Sequence, residues 1–500
     1  MSEFIQNCFI ELNNVKSSYI DLFPNDDYKF GILRVDMVKK DVTKNPVSIL
    51  FTIDHSASMN DTCSDGKTKL EHVKYTLKKI FEELSNKNCD IEVCVLLFDN
   101  KCKLLIDFVK INESVLPELV SKIQNIREQG STNINKALQE TQSIISNIQN
   151  RKCYHIFMTD GEANEGECDP YKLLEMVNNK ITNIFVGFGI DHDSTLLRVL
   201  CKNGQNNEYK FVDQIEKSGM VYGEIIHNIL YCLIDNPVLK INFGEIYDWK
   251  NNSWVEKIFI QDLVSETEKI FHIRTKTPNV IYGEILRREN DAEINIMKVE
   301  VLPELVDNNK NILSNDLTPF MFRQKTQEFM YEAIELMEKG KVKNWNNKNV
   351  QFSQNINDYD FNLFSLPIKN VKPKKQIHIK DNSKEKIKNE IKSFIEKMMS
   401  YTKEEKDQEY NSMIKLLCDD LYICYKTINT NQGIMYTASR QTSQGNQTIC
   451  RATQLNDIDD ELEEEEENIF QKFKLNENIF DTPYCTRSAS ETINLFSQTS

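Results

Sequence analysis

The chain has 500 residues, 40% of them hydrophobic, and carries a formal net charge of −15. That length asks for two or three domains with linkers. The acid excess sets the chain against nucleic-acid phosphates, since residues 369–392 are the one basic-leaning stretch and acids are mixed into it.

In chain order, "FIELNN" and "YKFGILRVDMV" read as strands within residues 1–45. From residue 46 to 233 strand-like and helix-like runs then alternate. "VSILFTI" (residues 47–53) is apolar without alternation, as suits a strand covered on both faces. "TKLEHVKYTLKKIFEEL" places Leu70, Val73, Leu77, Ile80, Phe81 and Leu84 on one helical stripe. "DIEVCVLLFD" and "KCKLLIDFV" predict a hairpin, and "INKALQETQSIISNI" stacks Ile134, Ala137, Leu138, Thr141, Ile145 and Ile148. "CYHIFMTDG", "ITNIFVGFGI" and "EYKFV" supply three further strands, with "PYKLLEMV" a short helix between the first two. The alternation predicts an α/β fold, a doubly wound, mostly parallel sheet between helices.

Residues 236–305 change to short strands separated by Asn, Gly and acidic turns, which predicts a β-sandwich. The N-terminal strands are expected to pair with this block, making the α/β domain an insertion in a split sandwich. Residues 315–430 predict helices, the first with Pro319 in its opening turn. Residues 431–500 turn polar and hold the acidic run "DIDDELEEEEEN"; a largely disordered tail is expected there.

No apolar run reaches the length of a membrane span. The best, "GMVYGEIIHNILYCLID", is broken by Glu224, His227 and Asn228. The first residues show neither a basic start nor an apolar stretch, so no secretory signal is expected and a soluble, cytoplasmic protein is. The 13 cysteines are scattered without a CxxC pair, which points to free thiols in a reducing compartment.

Asp54 closes the first α/β strand in "VSILFTIDHSASMND", and Asp160 closes the fourth in "IFMTDGEANEG". Doubly wound sheets commonly order their strands 3-2-1-4-5-6, which makes the first and fourth neighbours at the switch point where ligands bind. Between them, "REQGSTNINKAL" puts Gly130, Ser131 and Thr132 in a turn before a helix. The oxygens of Asp54, Ser56, Ser58, Thr132 and Asp160 are therefore candidates to surround a hard cation, Mg2+, Mn2+ or Ca2+, in preference to zinc or copper. Neutral hydroxyl ligands leave such an ion undercompensated, with appetite for an external carboxylate.

Asp54-His55-Ser56-Ala57-Ser58, Gly130-Ser131-Thr132-Asn133 and Thr159-Asp160-Gly161 together resemble the metal-ion-dependent adhesion site, or MIDAS, of von Willebrand factor type A domains. The likeness covers about residues 46–215, including "NIFVGFGIDHDSTLL". It implies that Ser56, Ser58 and Thr132 contact the metal directly, with Asp54 and Asp160 doing so directly or through water. "FGEIYDWKNNSWVEKIFIQDLVSETEKI" and "MYTASRQTSQGNQ" are similar to the region following the A domain in Vwaint-type proteins of protists, fungi, plants and large DNA viruses. The RING and U-box modules of some relatives have no cysteine pattern here.

Plainer readings stand beside these. Asp54 and the serines could form a helix-capping turn. An Asp54–His55–Ser56 hydrolase triad is disfavoured, because adjacent residues on an extended chain point apart. His55 and His192 read as loop residues. Glu162 and Glu165 could tune partner choice or be solvated. "RQTSQG" (residues 440–445) could be a docking motif, or a strand or turn closing the sandwich. The expected function is a non-enzymatic, metal-dependent interaction module that grips a carboxylate on a protein partner. The alternatives are an enzyme or accessory subunit of the ubiquitin pathway, and a scaffold with an idle metal site. No GxxxxGK[ST] loop is present.

Overall fold

The computed structural model describes residues 2–14, 22, 27–41, 45–62, 66–87, 89–161, 163–189, 192–202, 207–212, 215–289, 292–302, 316–345, 382–404, 407–430, 432–448 and 487–497. Two N-terminal strands, β1 (Ile5–Leu12) and β2 (Lys29–Met37), pair antiparallel. An alternating segment follows: β3 (Val47–Asp54), α1 (Lys69–Asn86), β4 (Ile91–Phe98), β5 (Cys102–Lys110), α2 (Leu116–Gln124), α3 (Ile134–Ile145), β6 (Lys152–Thr159), α4 (Pro170–Leu174), β7 (Thr182–Phe188), α5 (Ser194–Leu200), β8 (Glu208–Val212) and α6 (Ile215–Leu230). Short strands come next, β9 (Cys232–Ile234), β10 (Pro237–Asn242), β11 (Glu245–Asp248), β12 (Ser253–Val255), β13 (Lys257–Phe259), β14 (Leu263–Val264), β15 (Glu268–Thr275), β16 (Tyr282–Glu289) and β17 (Ala292–Val299). The helices α7 (Thr318–Trp345), α8 (Asn382–Glu404), α9 (Gln408–Thr427), α10 (Gly433–Asn446) and α11 (Arg487–Ser497) complete the order.

The α/β sheet runs β5-β4-β3-β6-β7-β8, with every pair parallel except the β4–β5 hairpin at one edge. This is the doubly wound order expected from the alternation of runs. All eight residues of β3 are buried, because helices cover both faces of the sheet. Val47, Ile49, Phe51 and Ile53 point to the α1, α2 and α6 side, where Leu70, Val73, Leu77, Ile80, Phe81 and Leu84 of α1 meet them. The other face packs Phe157 and Phe185 against α3, α4 and α5.

On that second face lies a wholly buried polar chain. The hydroxyls of Thr141 and Thr52 meet at 3.0 Å, and Thr52 lies 3.0 Å from His155 Nε2. The Nδ1 of His155 is 2.9 Å from Asn183 Oδ1, and this pairing assigns the ring proton to Nδ1. Burial pushes the His155 pKa down to about 4, against the Asn183 hydrogen bond, which acts to raise it.

A five-stranded sheet, β1-β2-β15-β11-β12, faces a four-stranded one, β13-β10-β16-β17. Leu33 of β2 lies opposite Phe271 of β15, so the strands before the α/β segment pair with a strand beyond it. Ile10, Leu33, Val35, Leu239, Ile241, Ile273 and Ile285 fill the space between the two sheets. The outer face of the larger sheet is not bare: Phe30 and Ile32 pack under Leu317, Phe320 and Met321 at the start of α7.

The C-terminal region corrects an expectation. Residues 433–446, placed by their polarity in a disordered tail, form the helix α10, and "RQTSQG" is neither strand nor turn but its buried end. Its buried charged group and two of its buried amides have partners, which is what makes such burial tolerable. Arg440 pairs with Asp420 at 2.8 Å, both nearly excluded from solvent, and Gln444 reaches the other Asp420 oxygen at 2.6 Å. Gln447 bonds both the N–H and the carbonyl of Ile270, docking the helix end on β15. Gly445 has no alternative, since a Cβ there would meet the Trp249 ring at 2.1 Å. Further on, α11 seats Ala489 and Ile493 against Val221, Tyr222, Ile225 and Ile226 of α6. The acidic run, residues 457–467, lies outside the described residues, as do residues 346–381.

Two predictions follow from this packing. Asp420→Ala takes the carboxylate from a buried guanidinium, so the urea denaturation free energy should fall by about 3–5 kcal/mol. His155 is neutral in the fold, so the unfolded chain binds more protons between pH 6.5 and about 4. Stability present above the unfolded pKa is therefore lost as pH falls through that window, on the order of 2 kcal/mol by pH 5. Denaturation at pH 7 and pH 5 should show the loss, and His155→Asn should shrink it.

Candidate functional site

Asp54 and Asp160 leave neighbouring parallel strands at the same carboxyl edge: β3 pairs in register with β6 through Ile53 and Met158. Both residues are buried, Asp54 at 0% and Asp160 at 2% exposure. The first loop is set by Asp54 itself, whose Oδ1 accepts the Ser56 N–H at 2.8 Å. Its Oδ2 accepts the Thr159 hydroxyl at 2.6 Å, which ties the ends of β3 and β6 together. A single 3-10 turn, Ala57–Asn60, then buries Met59 as an anchor. This turn brings Ser56 Oγ and Ser58 Oγ to 3.1 Å, and Ser58 donates to Asp160 Oδ1 at 2.9 Å.

Thr132 comes from the loop before α3. Its N–H donates to Asn164 Oδ1 at 2.8 Å and its carbonyl accepts the Asn164 N–H at 3.1 Å, lacing that loop to the one after β6. Thr132 Oγ1 faces the Asp160–Gly161 step closely enough that a Cβ on Gly161 would lie 3.2 Å from it. Gly130 sits at φ +73°, a conformation that favours glycine, with Asp99 packed beneath it. Its carbonyl accepts the Ala57 N–H at 3.1 Å, so the loop that carries Gly130 and Thr132 is also tied to the one after β3. The structure thus brings all five residues named from the sequence to one edge.

Burial raises the Asp54 pKa to about 6. The hydrogen bonds from Thr159 and Ser56 oppose that rise and the nearby Asp160 charge adds to it. A carboxylate in this setting is stabilised by any cation placed beside it.

One residue at the edge was not anticipated. The Lys69 ammonium lies 2.7 Å from Asp160 Oδ2 and 3.5 Å from Asp61, with its side chain only 9% exposed. A capping box starts α1: Thr68 accepts the Glu71 N–H, and the Glu71 carboxylate accepts the Thr68 N–H. That box fixes Lys69 as the first helical residue. A lysine there opposes the helix dipole; this mismatch was the available sequence signal.

The remaining candidates are bracing residues. His55 Nδ1 lies 2.9 Å from the Arg127 carbonyl, and the His55 carbonyl accepts the Gln129 N–H at 2.8 Å. His192 spans the Gly189 carbonyl and the Tyr209 hydroxyl, each at 2.6 Å. Glu165 accepts from the Ser131 hydroxyl at the rim, and Glu162 lies outside the described residues. Among the described residues no group of three or more His, Cys, Asp and Glu side chains could hold a metal, so any ion bound here would rely on hydroxyls.

The model of the von Willebrand factor type A domain family matches residues 48–221. Those residues form a von Willebrand factor type A domain. The A domain therefore spans the sheet from β3 to β8 and the edge just described. The chain is 32% identical over 162 residues to inter-alpha-trypsin inhibitor heavy chain H3 of Bos taurus, covering 29% of this chain and 16% of that protein. With the Homo sapiens heavy chain H3 the figures are 28% over 267 residues, 51% and 27%. The chain thus spans roughly a quarter or less of these relatives' length, 24% of the Rattus norvegicus heavy chain H3 for example. Among solved structures, a von Willebrand factor type A protein from Catenulispora acidiphila shares 10% identity at a TM-score of 0.48, over 67% of this chain and 82% of that one. The ArnB paralog VWA2 from Sulfolobus acidocaldarius shares 10% at 0.47, over 84% and 93%.

Proposed function

We propose that the carboxyl edge of β3 and β6 is a divalent-cation site through which the protein grips a carboxylate of a protein partner, without catalysing a reaction. The observation that carries this reading is the continuous chain of oxygens from Ser56 through Ser58 to Asp160, with buried Asp54 behind it. The donor set fits a hard cation: hydroxyl and carboxylate oxygens, as Mg2+, Mn2+ or Ca2+ prefer. Ser56, Ser58 and Thr132 would hold the ion directly, and Asp54 and Asp160 would hold it directly or through water. When bound, the ion supplies a Lewis-acidic position for an anionic oxygen from outside.

The chain's own residues do the rest. Thr159 and the Ser56 N–H hold the Asp54 carboxylate in one orientation. Asn164 and the Gly130 carbonyl fix the three loops relative to each other. Two carboxylates are present, and Lys69 already offsets one of them. A dication placed here is left with excess positive charge, and an acidic side chain of a partner answers it. The match to a von Willebrand factor type A domain supports the same reading.

The Lys69–Asp160 pair favours one second reading, a scaffold whose site stays metal-free because an ammonium already serves as the cation. No helix among the described residues is long and apolar enough to cross a membrane.

Thermal denaturation of the full chain separates the two readings. With Mg2+ or Mn2+ at about a hundred times its dissociation constant, linkage gives about 2.7 kcal/mol of stabilisation, a rise of several degrees over the same protein in chelator. Asp54→Ala and Ser58→Ala should each abolish the rise. Identical melting of the wild type with metal and with chelator would remove the metal reading and leave the scaffold.

A further inference from the structure

The Lys69 ammonium is built into the edge rather than lying on it. The capping box sets its backbone, and its own N–H donates to the Asp61 carbonyl at 3.1 Å. Gly189, at φ +76°, closes over its stem: a Cβ there would approach Lys69 Cε to 3.4 Å and Nζ to 3.8 Å. The charge therefore sits under the loop after β7, largely shielded from water, where ion–ion interactions are strong. Its principal partner is Asp160, whose other oxygen takes the Ser58 hydroxyl. One carboxylate thus serves both the ammonium and the hydroxyl cluster.

We infer that Lys69 is a resident counter-cation that sets the affinity and the charge of this site, a specificity-determining residue for its metal and its partner. The inference rests on the metal reading above. In the metal-free protein the ammonium neutralises Asp160, which keeps the three loops assembled without an ion. When a divalent ion enters at Ser56, Ser58 and Thr132, it meets a carboxylate already shared with a fixed positive charge. The ion is held more loosely than two unshared carboxylates would hold it. The assembled site gains one more positive charge for an incoming carboxylate. Counting Asp54 and Asp160 at −1 each and Lys69 at +1, the three sum to −1 and a dication brings them to +1; Asp61, 3.5 Å from the ammonium, is mostly exposed and its charge is screened by solvent.

The test compares Mn2+ binding by the full-length wild type, Lys69→Gln and Lys69→Met, using calorimetry and water-proton relaxation, with circular dichroism to confirm folding. The Gln amide keeps a donor for Asp160 Oδ2 while removing the charge; it carries the comparison if the Met variant does not fold. Both variants should bind Mn2+ at least tenfold more tightly than the wild type. Binding by the Gln variant but not by the wild type is the same result in extreme form. Equal or weaker binding by the variants would overturn the role of Lys69 and leave the metal site standing. Absence of binding by all three folded proteins would overturn both.

Discussion

The pairing of β3 with β6 in parallel register forces two carboxylates into one dry place. Asp54 and Asp160 are both nearly inaccessible; the Ser56 N–H and the Thr159 hydroxyl hold the first, and the Ser58 hydroxyl and the Lys69 ammonium hold the second. Burial raises the cost of ionising Asp54, and the neighbouring Asp160 charge adds to it. A fold keeps such an arrangement only if something cationic offsets it. In this molecule one such cation, Lys69, is covalently part of the chain, and the hydroxyls of Ser56, Ser58 and Thr132 line the space beside it. The functional reading grows from that balance of charge.

The surrounding architecture stiffens the edge. The A domain does not hang from the rest of the chain by a single connection: β2 precedes it and pairs with β15, which follows it. On the face opposite α1 and α6, the core of the sheet runs on without a break into α7, α8, α9 and α10, with Phe157 and Phe185 in the same cluster as Phe322 and Phe394. On the other face α11 returns to cover α6. Loops at the carboxyl edge are thereby carried on elements packed from both sides, which favours a preorganised site.

Much of this was legible in the sequence. Apolar runs without alternation marked β3, β6 and β7 as central parallel strands, and the alternation of strands with helical stripes gave the order that puts Asp54 beside Asp160. Lys69 was hidden because hydrophobic periodicity explains Leu70 and its stripe but is silent about the residue before it. Only its place after the Thr68 cap, against the helix dipole, set it apart. The helix α10 was hidden for a different reason. Its composition is polar, and polarity alone implies exposure, whereas Arg440, Gln444 and Gln447 find partners in Asp420 and the Ile270 backbone that lie far off in sequence. Long-range hydrogen bonding of this kind leaves no local pattern.

The most direct measurement is anomalous diffraction from crystals of the full chain grown with Mn2+. The account predicts one strong peak at the carboxyl edge of β3 and β6, ringed by the side-chain oxygens of Ser56, Ser58 and Thr132. A map without a peak there at saturating Mn2+, with Ser58 still donating to Asp160, would contradict it.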